Sequence, residues 1–114
     1  MPLLKIHTNL ELSEADFENL MKQSSALVAE LLNKSEQYVM IEAKHNNNML
    51  FAGSQEPLAY MELKSIGLDE SKTQGYAESL CDFVERTLNI SKSRIYIEFA
   101  NAQRHMWGWN SKTF

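Results

Sequence analysis

Apolar residues recur along the chain in two rhythms, and the change from one to the other marks the elements. Phe17, Leu20, Met21, Ser24, Leu27, Val28 and Leu31 fall three or four positions apart, the spacing of one helical face. Ser13, three residues before Asp16, supplies an N-cap, so the pattern predicts an amphipathic helix running to Asn33. Tyr76, Leu80, Phe83, Val84 and Leu88 form a second stripe. It predicts a helix beginning near residues 69–71 and closing at Asn89, with Gly75 an unfavourable helix residue near its start. Runs rich in β-branched and aromatic residues predict strands over 3–8, 37–44, 58–66 and 94–99, and a short fifth over 49–52.

The order is strand, helix, strand, given twice, which predicts parallel pairing within each half and a right-handed crossover. A displacement of 56 residues lays Leu32, Asn33, Ser35, Val39, Ile41 and Glu42 on Leu88, Asn89, Ser91, Ile95, Ile97 and Glu98. The expected architecture is therefore α/β (α+β): a duplicated βαβ, with two antiparallel helices on one face of a four-stranded mixed sheet. One domain of two halves, about 1–56 and 57–114, accounts for the length.

Strand alternation assigns the faces. Leu4, Ile6, Val39, Ile41, Ala43, Met61, Leu63, Ile95, Ile97 and Phe99 share one side, which the helices can bury. Lys5, His7, Tyr38, Met40, Glu42, Tyr60, Glu62, Lys64, Tyr96 and Glu98 share the other. That second face is too aromatic for a plain solvated surface and too charged for a dry core, which predicts a wet interface within a homo-oligomer.

Charge and cysteine content narrow the function classes. The net charge is -4 and the eleven Lys and Arg residues are scattered, so the chain lacks the clustered cations that neutralise a phosphate backbone, and no nucleic-acid partner is expected. Cys81 is the one cysteine, which excludes an internal disulfide and suits a reducing compartment. No run approaches the roughly 20 apolar residues of a membrane span, and the start lacks the charged and apolar regions of a secretion signal, so a cytoplasmic protein without membrane partners is expected, with non-classical secretion left open. His7, His45 and His105 share no ligand spacing, so no metal is expected; nor does any phosphate loop call for a cofactor.

Candidate chemistry lies at the start. Initiator methionine is generally removed before proline, which would leave Pro2 a secondary amine at the head of a strand, where burial or a nearby cation lowers an amine towards a useful general base. Lys34, just past the first helix, is the obvious cation for an anionic substrate group, although a lysine there also meets the helix dipole favourably.

The stretches Met1-Pro2, Thr8-Asn9, Lys34, Gln37-Tyr38, Gly53-Ser54, Glu56-Pro57, Ser65-Ile66-Gly67, Ser91, Arg94, Tyr96-Ile97, Gly108-Trp109-Asn110 and Thr113-Phe114 carry a resemblance over essentially the whole chain. It resembles the macrophage migration inhibitory factor family of the tautomerase superfamily. The resemblance implies a homotrimer and a cofactor-free keto-enol tautomerase, an isomerase acting on phenylpyruvate-like aryl 2-keto acids, with Pro2 as the base. It implies that Lys34 and the backbone amide of Ile66 hold the substrate's oxygens and that Tyr96 comes from a neighbouring subunit. Tyr38, Trp109 and Phe114 match the aromatic wall, and Leu3 and Trp107 occupy wall positions where the family varies. Glu98 stands where the best-known members have asparagine, so a carboxylate replaces an amide donor, which puts dopachrome recognition in doubt. The Cys-x-x-Cys of the family's vertebrate cytokine falls on Leu58 and Met61, which excludes thiol-disulfide chemistry. A non-catalytic cytokine-like signalling or binding trimer is the alternative reading, and a retained Met1 would favour it, because Pro2 would then be a tertiary amide.

Overall fold

The computed structural model describes all 114 residues. Its elements follow the order β1 (Leu3–Thr8), α1 (Glu14–Leu32), β2 (Met40–His45), β3 (Ala59–Ile66), α2 (Thr73–Leu88) and β4 (Ile95–Ala102), with a two-residue hairpin pair, β5 (Gly108–Trp109) and β6 (Lys112–Thr113), at the end. The sheet runs β2-β1-β3-β4. β1 pairs parallel with β2 and β3 parallel with β4, while β1 and β3 are antiparallel at the centre. Two βαβ units thus meet back to back, and the expected fold class is the observed one.

Helix ends are written in local chemistry. The Ser13 hydroxyl accepts the Asp16 amide at 3.1 Å, satisfying a donor that the first turn of α1 leaves free. Asn33 and Asn89 close the two helices in the left-handed conformation, at φ 52° and 55°, which asparagine tolerates better than most residues. Leu20 and Val28 of α1 and Tyr76, Leu80, Phe83 and Val84 of α2 join one buried cluster with Leu4, Ile6, Met61 and Leu63 of the central strands. Val39, Ile41, Ala43, Ile97 and Phe99 belong to the same side but are only half-buried, because β2 and β4 are the edges of the sheet and the helices cover them less completely.

Four predicted elements differ from those observed. Residues 36–38 form a 3-10 turn, not the start of a strand, since Tyr38 and Val39 donate to the carbonyls of Ser35 and Glu36, and β2 begins at Met40. An equivalent turn takes residues 92–94, and β4 runs on to Ala102 because Ser65 and Ile66 still offer it partners. Asp69 caps a 3-10 turn by accepting from Ser71 at 3.0 Å, so α2 starts only at Thr73. The expected fifth strand over 49–52 is a tight turn bridged between Phe51 and Ser54: no strand lies beside it in the chain, and Ala52 and Gly53 both take positive φ.

Candidate active site

Pro2 precedes the first residue of β1 and is fully buried. Its carbonyl accepts the Met40 amide at 2.9 Å, which extends the β1–β2 ladder by one rung and ties Pro2 to the sheet. Its ring cannot rotate about φ, so an atom at this place has little freedom left. Around it opens a cavity of about 220 Å³ lined by Met1, Pro2, Leu3, Gln37, Tyr38, Val39, Met40, Trp107, Gly108, Trp109 and Phe114.

The two ends of the chain build this cavity together. Asn110 and Ser111, at φ 52° and 65°, make a turn with two left-handed residues, the type that matches strand twist, and fold β6 back on β5. Trp109 then stacks on Phe114 with ring centroids 5.8 Å apart and planes 8° from parallel. Tyr38 meets Trp109 edge to face at 5.8 Å, and the Phe114 amide donates to the Trp107 carbonyl at 3.2 Å. Aromatic contacts therefore fasten the carboxy-terminal hairpin over the start of β1.

Electrostatics set the cavity's polarity. Burial, and after it the positive charge of Lys34, hold the Met1 amino group below its usual pKa. Lys34 itself is exposed, one residue beyond the Asn33 cap, with its amide bonded to the Ala29 carbonyl at 3.0 Å. An amine at this end of the cavity is thus disfavoured in its charged form, while an anion would find a cation nearby.

Within one chain the cavity gathers Pro2, Leu3, Tyr38, Trp107, Trp109 and Phe114, with Lys34 close enough to act electrostatically. Ile66 lies at the far end of β3, buried beside Ala102 of β4. One step beyond the last β1–β3 pair, Leu3 with Lys64, the antiparallel register brings Pro2 opposite Ser65, so Ile66 is a near neighbour across the strands but not a wall residue. Tyr96 and Glu98 are not brought to Pro2 at all. They stand on the open face of β4, where Tyr96 lines a separate cavity of about 240 Å³ and Glu98 accepts the Tyr60 hydroxyl at 2.6 Å. That bond pushes the Tyr60 phenol up to about 12.

Gln37, Val39, Met40 and Gly108 also line the first cavity, although no place in the site is predicted for them from the sequence. The strand register was the missing signal for Met40: it joins Met40 to Leu3. Cys81 is half-buried on α2 with its thiol pushed up by burial, which keeps it protonated and apart from this chemistry. No group of His, Cys, Asp and Glu side chains comes together as a metal site, and no helix is long and apolar enough to cross a membrane.

Comparison with known proteins agrees over the full length. The family described as Macrophage migration inhibitory factor (MIF) matches residues 1–114. The macrophage migration inhibitory factor homolog of Brugia malayi is 36% identical over 115 residues, covering 100% of this chain and 99% of its own. That of Trichinella spiralis is 32% identical with both chains covered completely. Among solved structures, a homologue from Prochlorococcus marinus superposes with a TM-score of 0.91 at 40% identity, over 98% of each chain. The family match, the sequence identities and the structural superposition converge on one conclusion: the chain belongs to the macrophage migration inhibitory factor family and has the fold of the tautomerase superfamily.

Proposed function

We propose that this protein is a keto-enol tautomerase for phenylpyruvate-like 2-keto acids, with Pro2, freed by removal of Met1, as its general base. The observation that carries the reading is the setting of Pro2: held by the sheet, buried under an aromatic wall, and next to the Met1 amino group whose pKa burial and Lys34 lower. The free ring nitrogen takes a proton from the carbon beside the substrate's carbonyl. The C–H electron pair becomes the C=C bond, the carbonyl electrons move to oxygen, and the protonated ring returns the proton to that oxygen. Lys34 and the Ile66 amide, acting on the carboxylate and keto oxygens, would stabilise the charge that develops there. Tyr38, Trp107, Trp109 and Phe114 offer an apolar slot for the aryl group, with Leu3 at its base.

The site is completed in a homotrimer, where the Tyr96 and Glu98 of one subunit close the cavity of the next. Both stand exposed on an edge strand, away from the Pro2 of their own chain, which is where residues of a shared site must lie.

A tautomerase assay on processed protein, with Pro2→Gly beside it, tests the base. A loss of at least about a hundredfold in kcat/KM is expected, the usual worth of a positioned base. Equal rates would discard the assignment. Mass spectrometry of protein from its own cells reads the processing directly, and a retained Met1 would leave only the binding role.

A further inference from the structure

The two halves each carry a short return segment, and the residue that holds it differs. In the first half, Tyr38 ends the 3-10 turn before β2 and clamps the terminal hairpin through Trp109. A displacement of 56 residues takes Tyr38 to Arg94, which ends the matching turn before β4, and takes Met40 to Tyr96. Arg94 clamps the segment between Phe51 and Pro57 by hydrogen bonds: its guanidinium donates to the carbonyls of Phe51 at 3.1 Å, Ser54 at 3.0 Å, Glu56 at 3.1 Å and Pro57 at 3.1 Å. Only a planar fork with several donors in one plane satisfies four backbone oxygens at once, and a lysine ammonium cannot copy it. The same guanidinium lies 5.2 Å from the centre of the Phe51 ring, and that ring packs at 4.7 Å against Tyr96.

From this arrangement we infer that Arg94 is a positioning residue for substrate binding: it fixes the turn at Phe51, and Phe51 seats the ring of Tyr96. The inference rests on the two-chain reading above, in which Tyr96 closes the neighbouring subunit's cavity. Arg94 touches no reacting atom. Its loss lets the Phe51 turn relax and the Tyr96 ring drift, which weakens the fit of the aryl group while leaving Pro2 and Lys34 in place.

The test compares Arg94→Ala, Arg94→Lys, Phe51→Ala and Tyr96→Ala in the processed protein, with steady-state kinetics on phenylpyruvate and sedimentation on each. Arg94→Ala is expected to keep the assembly and raise KM about tenfold, with kcat within about twofold and an unmoved pH profile, as misplacement of a binding group does. Arg94→Lys should fall between. Phe51→Ala keeps the carbonyl bonds but removes the ring that transmits them, so it must reproduce the KM effect even if Arg94→Ala fails to fold. A lowered melting temperature with unchanged KM in both Arg94→Ala and Phe51→Ala makes Arg94 a structural staple and overturns the inference. If Tyr96→Ala itself leaves KM unchanged, the two-chain site is wrong and Arg94's role falls with it; a raised KM in Tyr96→Ala beside silent Arg94 and Phe51 variants condemns the role of Arg94 alone.

Discussion

Of the groups whose protonation equilibria are displaced by their surroundings, the Met1 amine and the Tyr60 phenol bear on the proposed site, and each gives a pH experiment. For the Met1 amine, burial acts first and Lys34 second, both against the charged form, and the Pro2 amine that processing would expose one residue further in is expected to meet the same two influences. The acidic limb of the kcat/KM profile should therefore lie below the usual α-amino range of about 7.7 to 8.0. Lys34→Gln should move that limb to higher pH, because the cation opposing protonation is gone. It should not restore the ordinary value, because burial is the larger cause. A limb that stays still in the variant would remove Lys34 from the amine's surroundings. Tyr60 carries the opposite sign: its donation to Glu98, followed by burial and the charges of Glu62 and Glu98, raises it from 10.0 to about 12. A raised folded-state value stabilises fully below the unfolded pKa and is lost as pH rises through the folded one. Tyr60→Phe should thus lower the denaturation midpoint at about pH 9, and the gap to the unaltered protein should close between about pH 10 and 12. A gap of constant size across that window would mean that packing, not the hydrogen bond, makes the difference. At this scale the sequence exposed residue types but few of their neighbours. Pro2 and Lys34 announced themselves by chemistry, whereas the Tyr60–Glu98 bond depends on a β3–β4 register that places Glu62 beside Glu98 and Tyr60 one step away.

Among the elements, legibility followed the distinctness of the ends. Ser13, Asn33 and Asn89 mark helix boundaries because a capping hydroxyl and a left-handed asparagine do jobs that few other residues do. Asn33→Ala should accordingly cost about 1 kcal/mol, the penalty of placing a Cβ in the left-handed region without asparagine's tolerance, while Asn33→Gly should match or exceed the original. Chemical denaturation of the two variants checks it, and equal stabilities would argue against strain at that cap. The 3-10 turns were hidden: three residues set no period, and Tyr38 and Val39 read as strand by composition. So was the β5–β6 hairpin, whose strands are two residues long and whose turn, Asn110-Ser111, lacks the glycine that signals its type. Because that hairpin carries Trp109 and Phe114 to Pro2, most of the candidate site was visible through family resemblance and little of it through periodicity.

At the scale of the whole molecule, the unassigned surface lies at the two edges of the sheet. β2 and β4 each pair on one side only, and an exposed edge of this kind invites another chain. Met40 is 66% exposed beside β1, while Leu50 and Tyr96 are 68% and 66% exposed at the opposite edge. Between them runs a row of Glu42, Lys5, Glu62 and Glu98 across all four strands, polar enough to face water inside an assembly. Two different apolar edges on one chain cannot meet through a twofold axis using a single patch. Joined head to tail they generate either a ring or a filament, and a closed ring is the soluble outcome. The trimer proposed above is one such ring, and it should sediment at about three times the 13.1 kDa of the chain. If that edge is a subunit contact, Leu50→Glu would bury a charge in it without touching the Pro2 cavity of its own chain, and it should shift the population towards single chains. If Tyr96 and Glu98 complete the neighbour's site, tautomerase rate per chain must fall in step with the trimer fraction as Leu50→Glu protein is diluted. A single chain that works at the full rate would place the whole site within one subunit, leaving the exposed aromatic edge of β4 for some purpose other than catalysis.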